Sequence, residues 1–146
     1  MKYSCQVEIN QPIAKVVELF KDPNNLKEWQ DGFLRLEHVT GTPETNGAKS
    51  KLFYKFGKNE MELLETIQKV DWPNEFTALY EHKHMSNTLS NKFTALGEHT
   101  TLLVQEVDYL EFKALIPRIL SILFPGMFRR QVQKWLDQFK AFAEKQ

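Results

Sequence analysis

A few polar side chains interrupt apolar runs in this chain, and these are the places where chemistry could occur. Glu65, Glu106 and Asp108 fall within otherwise apolar strand-like segments. A carboxyl group turned inward has its pKa raised by lost hydration and can serve as a general acid or base. Period-two alternation puts half of each strand in water, so an outward residue on a solvated face is the plainer reading for each. Glu106 shares its parity with Leu102 and Val104 and is the carboxylate expected to face inward. Glu106, Glu65 and Tyr80 are the candidates for acid–base work.

His82 and His84 lie two apart on a predicted strand and point to one face, as two metal ligands could. Zinc needs at least three protein ligands. Cys5, His38 and His99 are not at ligand-like spacing, so surface histidines are the better reading and neither a metal nor another cofactor is expected. Asn87 and Asn91 share a face with Leu89 and Phe93. They could orient a polar ligand group in a cavity, or mark an edge strand whose polar residues discourage association. There is no Gly-rich phosphate loop, no G-x-S-x-G motif, and no Ser/His spacing that suggests a triad. No side chain is therefore expected to act as an activated nucleophile.

The elements that would position these groups follow from periodicity. Tyr3 to Asn10 alternates as a half-buried strand. Asn10 offers an N-cap and Pro12 suits a first helical turn, ahead of an apolar face of Ile13, Val16, Val17, Leu19 and Phe20. Asp22-Pro23 ends that helix, and Asp22 can cap a second short one over Pro23 to Gln30 that presents Leu26 and Trp29. After the Asp31-Gly32 turn, Phe33 to Thr40 reads as a strand, with Phe33 or Leu34 entering the core according to register. Gly41 to Ser50 is a surface loop. Further strands are expected at Lys51–Phe56, Glu60–Val70, Phe76–His84, Met85–Leu96 and Thr100–Leu110, with short turns between them. The alternation falters at Leu64 and Glu65, which suggests a bulge there. Phe112 to Phe124 reads as helical, and Pro125-Gly126 breaks or kinks the chain before the last element.

That last element is the only long amphipathic helix in the sequence. From Met127 to Glu144, the residues Met127, Phe128, Val132, Trp135, Leu136, Phe139 and Phe142 form one stripe at steps of three and four. Six consecutive strands on short turns make an antiparallel sheet, and this helix alone is long enough to cover it.

The totals exclude several function classes. Lys plus Arg equals Asp plus Glu at 19 each, so a nucleic-acid partner is not expected. Eleven Phe favour either a large apolar core or a lined cavity. A single Cys5 suits a small buried hydrophobe and a reducing compartment. The N-terminus lacks a signal-peptide pattern and no stretch reaches the ~20 apolar residues of a membrane span, so a cytoplasmic protein is expected. Arg118, Arg129 and Arg130, with Ile119, Ile122, Leu123, Phe124, Met127 and Phe128, could make a basic lip that touches membranes transiently; an ordinary kinked helix is the plainer reading. Oligomeric state is not legible.

The element order resembles the helix-grip fold of the START-like (SRPBCC) superfamily, which includes polyketide cyclases and aromatases, birch-pollen allergen relatives and lipid-transfer domains. Ile9-Asn10-Gln11-Pro12 with Val16 and Phe20 looks like that group's first strand exit and helix. Asp22-Pro23-Asn24-Asn25-Leu26-Lys27-Glu28-Trp29 resembles its second helix, and Leu136, Phe139 and Lys140 fit its closing helix. The resemblance covers residues 1–146 as one domain. It implies an α+β fold in which a curved antiparallel sheet of about seven strands wraps a long C-terminal helix, with two short helices between the first two strands. It also implies an apolar cavity between sheet and helix, lined by Trp29, Phe33, Tyr54, Phe56, Phe76, Tyr80, Asn91, Phe128, Val132 and Trp135. The expected function is binding or carriage of a lipid, fatty acid or aromatic polyketide-like molecule. The alternatives are a cyclase- or aromatase-like enzyme without metal, or an interaction module resembling heat-shock ATPase activators.

Overall fold

The computed structural model describes residues 1–113, 115, 118, 122 and 125–146. Its elements are β1 (Lys2–Ile9), α1 (Ile13–Lys21), a 3-10 turn (Pro23–Asn25), α2 (Leu26–Trp29), β2 (Phe33–Thr40), β3 (Lys49–Phe56), β4 (Asn59–Asp71), β5 (Glu75–His82), β6 (Met85–Gly97), β7 (Thr100–Phe112) and α3 (Pro125–Ala143). The strands form one antiparallel sheet in the order β1-β7-β6-β5-β4-β3-β2. Every connection from β2 to β7 joins neighbours. The connection from β1 to β2 carries α1 and α2 across to the far edge, which sets these helices beside α3. This is the expected helix-grip architecture.

Local differences from the sequence reading have physical causes. Asn10 does not cap α1: its backbone N–H donates to Glu144 Oε2 at 2.8 Å, and Pro12 precedes the first helical residue. Asp22 does cap, accepting the Asn24 N–H at 2.9 Å, but it starts a 3-10 turn that passes into the four-residue α2. No bulge occurs at Leu64–Glu65, where β4 pairs with β3 without interruption. The irregularity lies between Ile67 and Lys69, against β5. Leu64 broke the alternation because it is an apolar, half-buried side chain on the outer face. The last helix begins at Pro125, so Pro125 and Gly126 belong to its first turn, where a missing proline N–H costs least. Of the helix expected over 112–124, Phe112 ends β7 and Leu115, Arg118 and Ile122 are helical. The remainder of that expectation, including Ile119, Leu123 and Phe124 of the basic lip, lies outside the described residues.

The core gathers at one end of the sheet. Leu136, Phe139 and Ala143 of α3, Ile9, Val16 and Leu103 are fully buried there, with Trp29 and Phe93 nearly so. Phe139 meets Trp29 at 5.1 Å and Phe20 at 5.6 Å between ring centroids, both edge-on, the geometry that ring quadrupoles favour. The free edge of β1 faces α3 and is closed by side chains. Gln133 Nε2 donates to the Gln6 carbonyl at 3.1 Å and Lys140 Nζ to the Glu8 carbonyl at 2.6 Å. An unpaired strand edge is thereby occupied. Buried Cys5 fits the same seam, its thiol donating to the Arg129 carbonyl at 3.6 Å.

Phe139→Ala should destabilise the fold by about 3–5 kcal/mol, the range for deleting a fully buried aromatic. Urea unfolding measures this; a loss under about 1 kcal/mol would show that the α3 anchor lies elsewhere.

Candidate functional site

Beside this core, α3 and the sheet enclose a cavity of about 460 Å³. That volume falls within the range of small-molecule sites. The sheet supplies its floor through the inward parity of β2 to β7, and α2 with the first half of α3 supplies the roof. Trp29, Tyr54, Phe76, Tyr80, Asn91, Phe128, Val132 and Trp135 all line it.

Two residues expected in the wall are not there. Phe56 is 70% exposed, because it is the last residue of β3 and pairs with Asn59 across the turn, beyond the cover of the helices. Phe33 packs edge-on against Tyr54, ring centroids 5.7 Å apart, and does not line the cavity. A register shift between Phe33 and Arg35 resolves the parity of β2: Phe33 is half-buried and Leu34 is 44% exposed.

The acid–base candidates are also rearranged. Glu106 is exposed and paired with Lys92 Nζ at 3.1 Å. β7 has apolar residues on both faces, so parity with Leu102 and Val104 did not identify the inner one; Thr101, Leu103, Gln105 and Val107 are the buried set. Asp108 pairs at 3.9 Å with Lys2 across β1. Glu65, by contrast, lies in the cavity wall, where Tyr80 donates its hydroxyl to Oε2 at 2.8 Å. Burial raises the Glu65 pKa above the usual carboxylate range, against the opposing effect of the Tyr80 hydrogen bond. Burial, and next the Glu65 charge, push the Tyr80 phenol well up. Tyr54 is likewise raised, first by burial, and donates to Gln30 Oε1 at 2.7 Å.

His82 is half-buried rather than fully exposed. It lines the cavity, its Nδ1 accepts the His84 N–H at 3.2 Å, and burial lowers its pKa. β6 is not an edge strand but lies between β5 and β7, so Asn87 and Asn91 sit over the floor. Asn91 is 1% exposed; it donates to the Phe76 carbonyl at 3.2 Å and accepts from Gln105 Nε2 at 2.6 Å. Gln105, Tyr109 and Trp72 were missed as wall residues. The parity that Gln105 and Tyr109 share with Leu103 and Val107 was the available signal. The indole N–H groups of Trp29 and Trp135 are buried without an acceptor among the described residues.

No family model matches the chain, and no curated protein matches it by sequence. Solved structures match it by shape. The Zhui aromatase/cyclase from Streptomyces sp. R1128 superposes with a TM-score of 0.80 at 12% identity, over 99% of this chain and 94% of that one. A START superfamily protein from Mycobacterium smegmatis gives 0.77 at 14% identity, over 99% and 97%. Ginseng major latex-like protein 151 from Panax ginseng gives 0.74 at 18%, over 98% and 97%. At such identities the likeness establishes a START-like, helix-grip fold. Among the described residues no helix is long and apolar enough to cross a membrane.

A folded-state pKa above the unfolded one means that Glu65 stabilises the fold fully below the ordinary carboxylate pKa, and that this contribution is lost as pH rises through the folded value. Glu65→Gln should therefore match the wild type near about pH 4 and be the more stable of the two near about pH 8. Thermal midpoints across that range test it; parallel curves would contradict a carboxyl group whose burial outweighs its Tyr80 hydrogen bond.

Proposed function

We propose that this protein binds and carries a small hydrophobic molecule between its sheet and α3. The observation that carries this reading is the cavity of about 460 Å³ with a largely aromatic and aliphatic wall. Burial of apolar ligand surface contributes roughly 25 cal/mol per Å² before association costs, and walls such as Leu52, Leu63, Leu89, Phe128 and Val132 supply the partner surface. The fold alone decides nothing about function; the support comes from the wall and its chemistry.

A second reading is favoured by one observation. The hydrogen-bonded Glu65 and Tyr80 sit in the cavity wall, and one solved structure of this shape is an aromatase/cyclase. Glu65 could move a proton at a poly-β-ketone held against the floor. General acid–base catalysis contributes about 10²–10⁴-fold, and Glu65→Gln would remove about that much. Incubation with a poly-β-ketone thioester, followed by product mass, separates the two. Turnover abolished by Glu65→Gln in a folded protein would replace the carrier reading with the enzymatic one.

For the carrier reading, the uncharged apolar dye Nile red should bind one per chain with a blue-shifted emission. Leu89→Trp, which fills the space above the centre of the sheet, should weaken this by about tenfold or more, equivalent to ~1.4 kcal/mol. Equal affinity in that variant, once shown to be folded, would place the dye outside the cavity.

A further inference from the structure

The polar groups of the cavity are ordered. His38, Ser50, Glu65, Tyr80, Asn87 and Tyr109 are successive cross-strand partners from β2 to β7. All six line the cavity. Directly opposed residues of an antiparallel pair have Cβ atoms roughly 5 Å apart, so the six make one polar belt across the floor. The neighbouring rows are mainly apolar: Leu36, Leu52, Leu63 and Met85 on one side, interrupted by His82, and Ile67, Leu89 and Val107 on the other.

The belt is incompletely satisfied by the protein. Tyr80 bonds to Glu65 Oε2 at 2.8 Å, and the Tyr109 hydroxyl lies 3.4 Å from that of Tyr3. Glu65 Oε1 has no donor among the described residues, and the Asn87 amide reaches only the Thr88 carbonyl at 3.5 Å. These groups face the space that a ligand would fill. Their charge is one-sided. Lys21 is the only lysine or arginine among the described lining residues, and it lies on α1, 5.4 Å from the Trp72 ring, rather than on the belt.

A carboxylate placed against this belt meets Glu65 with no lysine or arginine on the belt to balance it and mainly apolar side chains on either side, an arrangement that leaves buried charge uncompensated. A hydroxyl group differs, because it both donates and accepts. It can donate to the free oxygen of Glu65 and accept from the Asn87 amide or the Ser50 hydroxyl. We propose that the cavity selects an uncharged, hydroxylated apolar molecule, anchored by its hydroxyl at Glu65, and rejects the corresponding carboxylate. This rests on the carrier reading and departs from one expectation of the sequence, that a fatty acid is among the ligands.

The test uses 2-naphthol and 2-naphthoate, which share a ring system and differ in the polar group. Each displaces Nile red from the wild type, Glu65→Gln and Tyr80→Phe, at about pH 8, where ordinary histidines are neutral. In the wild type, 2-naphthol should bind about tenfold or more tighter than 2-naphthoate. Glu65→Gln should bring the two within about threefold, chiefly by improving 2-naphthoate. Tyr80→Phe, which keeps the carboxyl group, should preserve the preference and guards against a general disturbance of the wall. Nile red binding with equal affinities for the two naphthalenes, or a preference that survives Glu65→Gln, overturns this inference and leaves the carrier reading standing. Failure of Nile red itself to bind overturns both.

Discussion

The structure depends on where α3 touches the sheet. Leu136, Phe139 and Ala143 are fully buried at one end of the helix, against Ile9, Val16 and Trp29. At 1.5 Å per residue the helix is roughly 28 Å long, and the sheet beneath it twists and curves. A straight rod cannot follow such a surface along its whole length. The helix keeps to the β1–β7 side along its length, with Arg129 at Cys5 and the Phe128 ring 5.2 Å from Tyr109, and the cavity is the space left between it and the strands that curve away from that side. Hydrogen bonds from Gln133 and Lys140 to the β1 edge fix the angle of the rod from the side. The same helix thus closes the core and roofs the site.

This division accounts for the aromatic excess. Phe20 meets Phe93 and Phe139 edge-on and stacks on Trp29, which meets Phe139 edge-on. Tyr54 and Trp135 instead stack across the cavity wall, 5.6 Å apart at 18°, and Trp72 stacks on Phe76 at 8°. Trp29 and Phe20 line the cavity as well as packing in the core, which makes them the link through which a bound molecule could affect core packing.

Much of the fold was legible because period-two strands on short turns and one long 3.6-period stripe admit few arrangements. The family resemblance implied Tyr54, Phe76, Tyr80, Asn91, Phe128, Val132 and Trp135 as wall residues, and the cavity includes them all. Parity failed where a strand is apolar on both faces, as in β7, and so exchanged Glu106 for Gln105. It failed at Phe56 because a face continues only as far as something covers it. Glu65 was under-weighted because a lone carboxylate in an apolar strand usually faces water. Its inward position depends on Tyr80, a cross-strand partner fifteen residues away whose hydroxyl makes burial tolerable. Periodicity within one strand carries no information about pairing between strands.

That pairing explains how a polar belt survives in an apolar floor. A buried carboxyl group left with one hydrogen bond is destabilising relative to a neutral isostere, and Tyr80 offsets only part of this. Asn91 and Gln105, two rows away, show the alternative: their side chains satisfy each other at 2.6 Å, and Asn91 also caps a backbone carbonyl. They fix β5, β6 and β7 together and leave little hydrogen-bonding capacity over. Glu65 retains an oxygen at the cavity surface with no donor among the described residues. Residual capacity of this kind is tolerated where something else can complete it, and here the space beside it is large enough to admit a molecule that does.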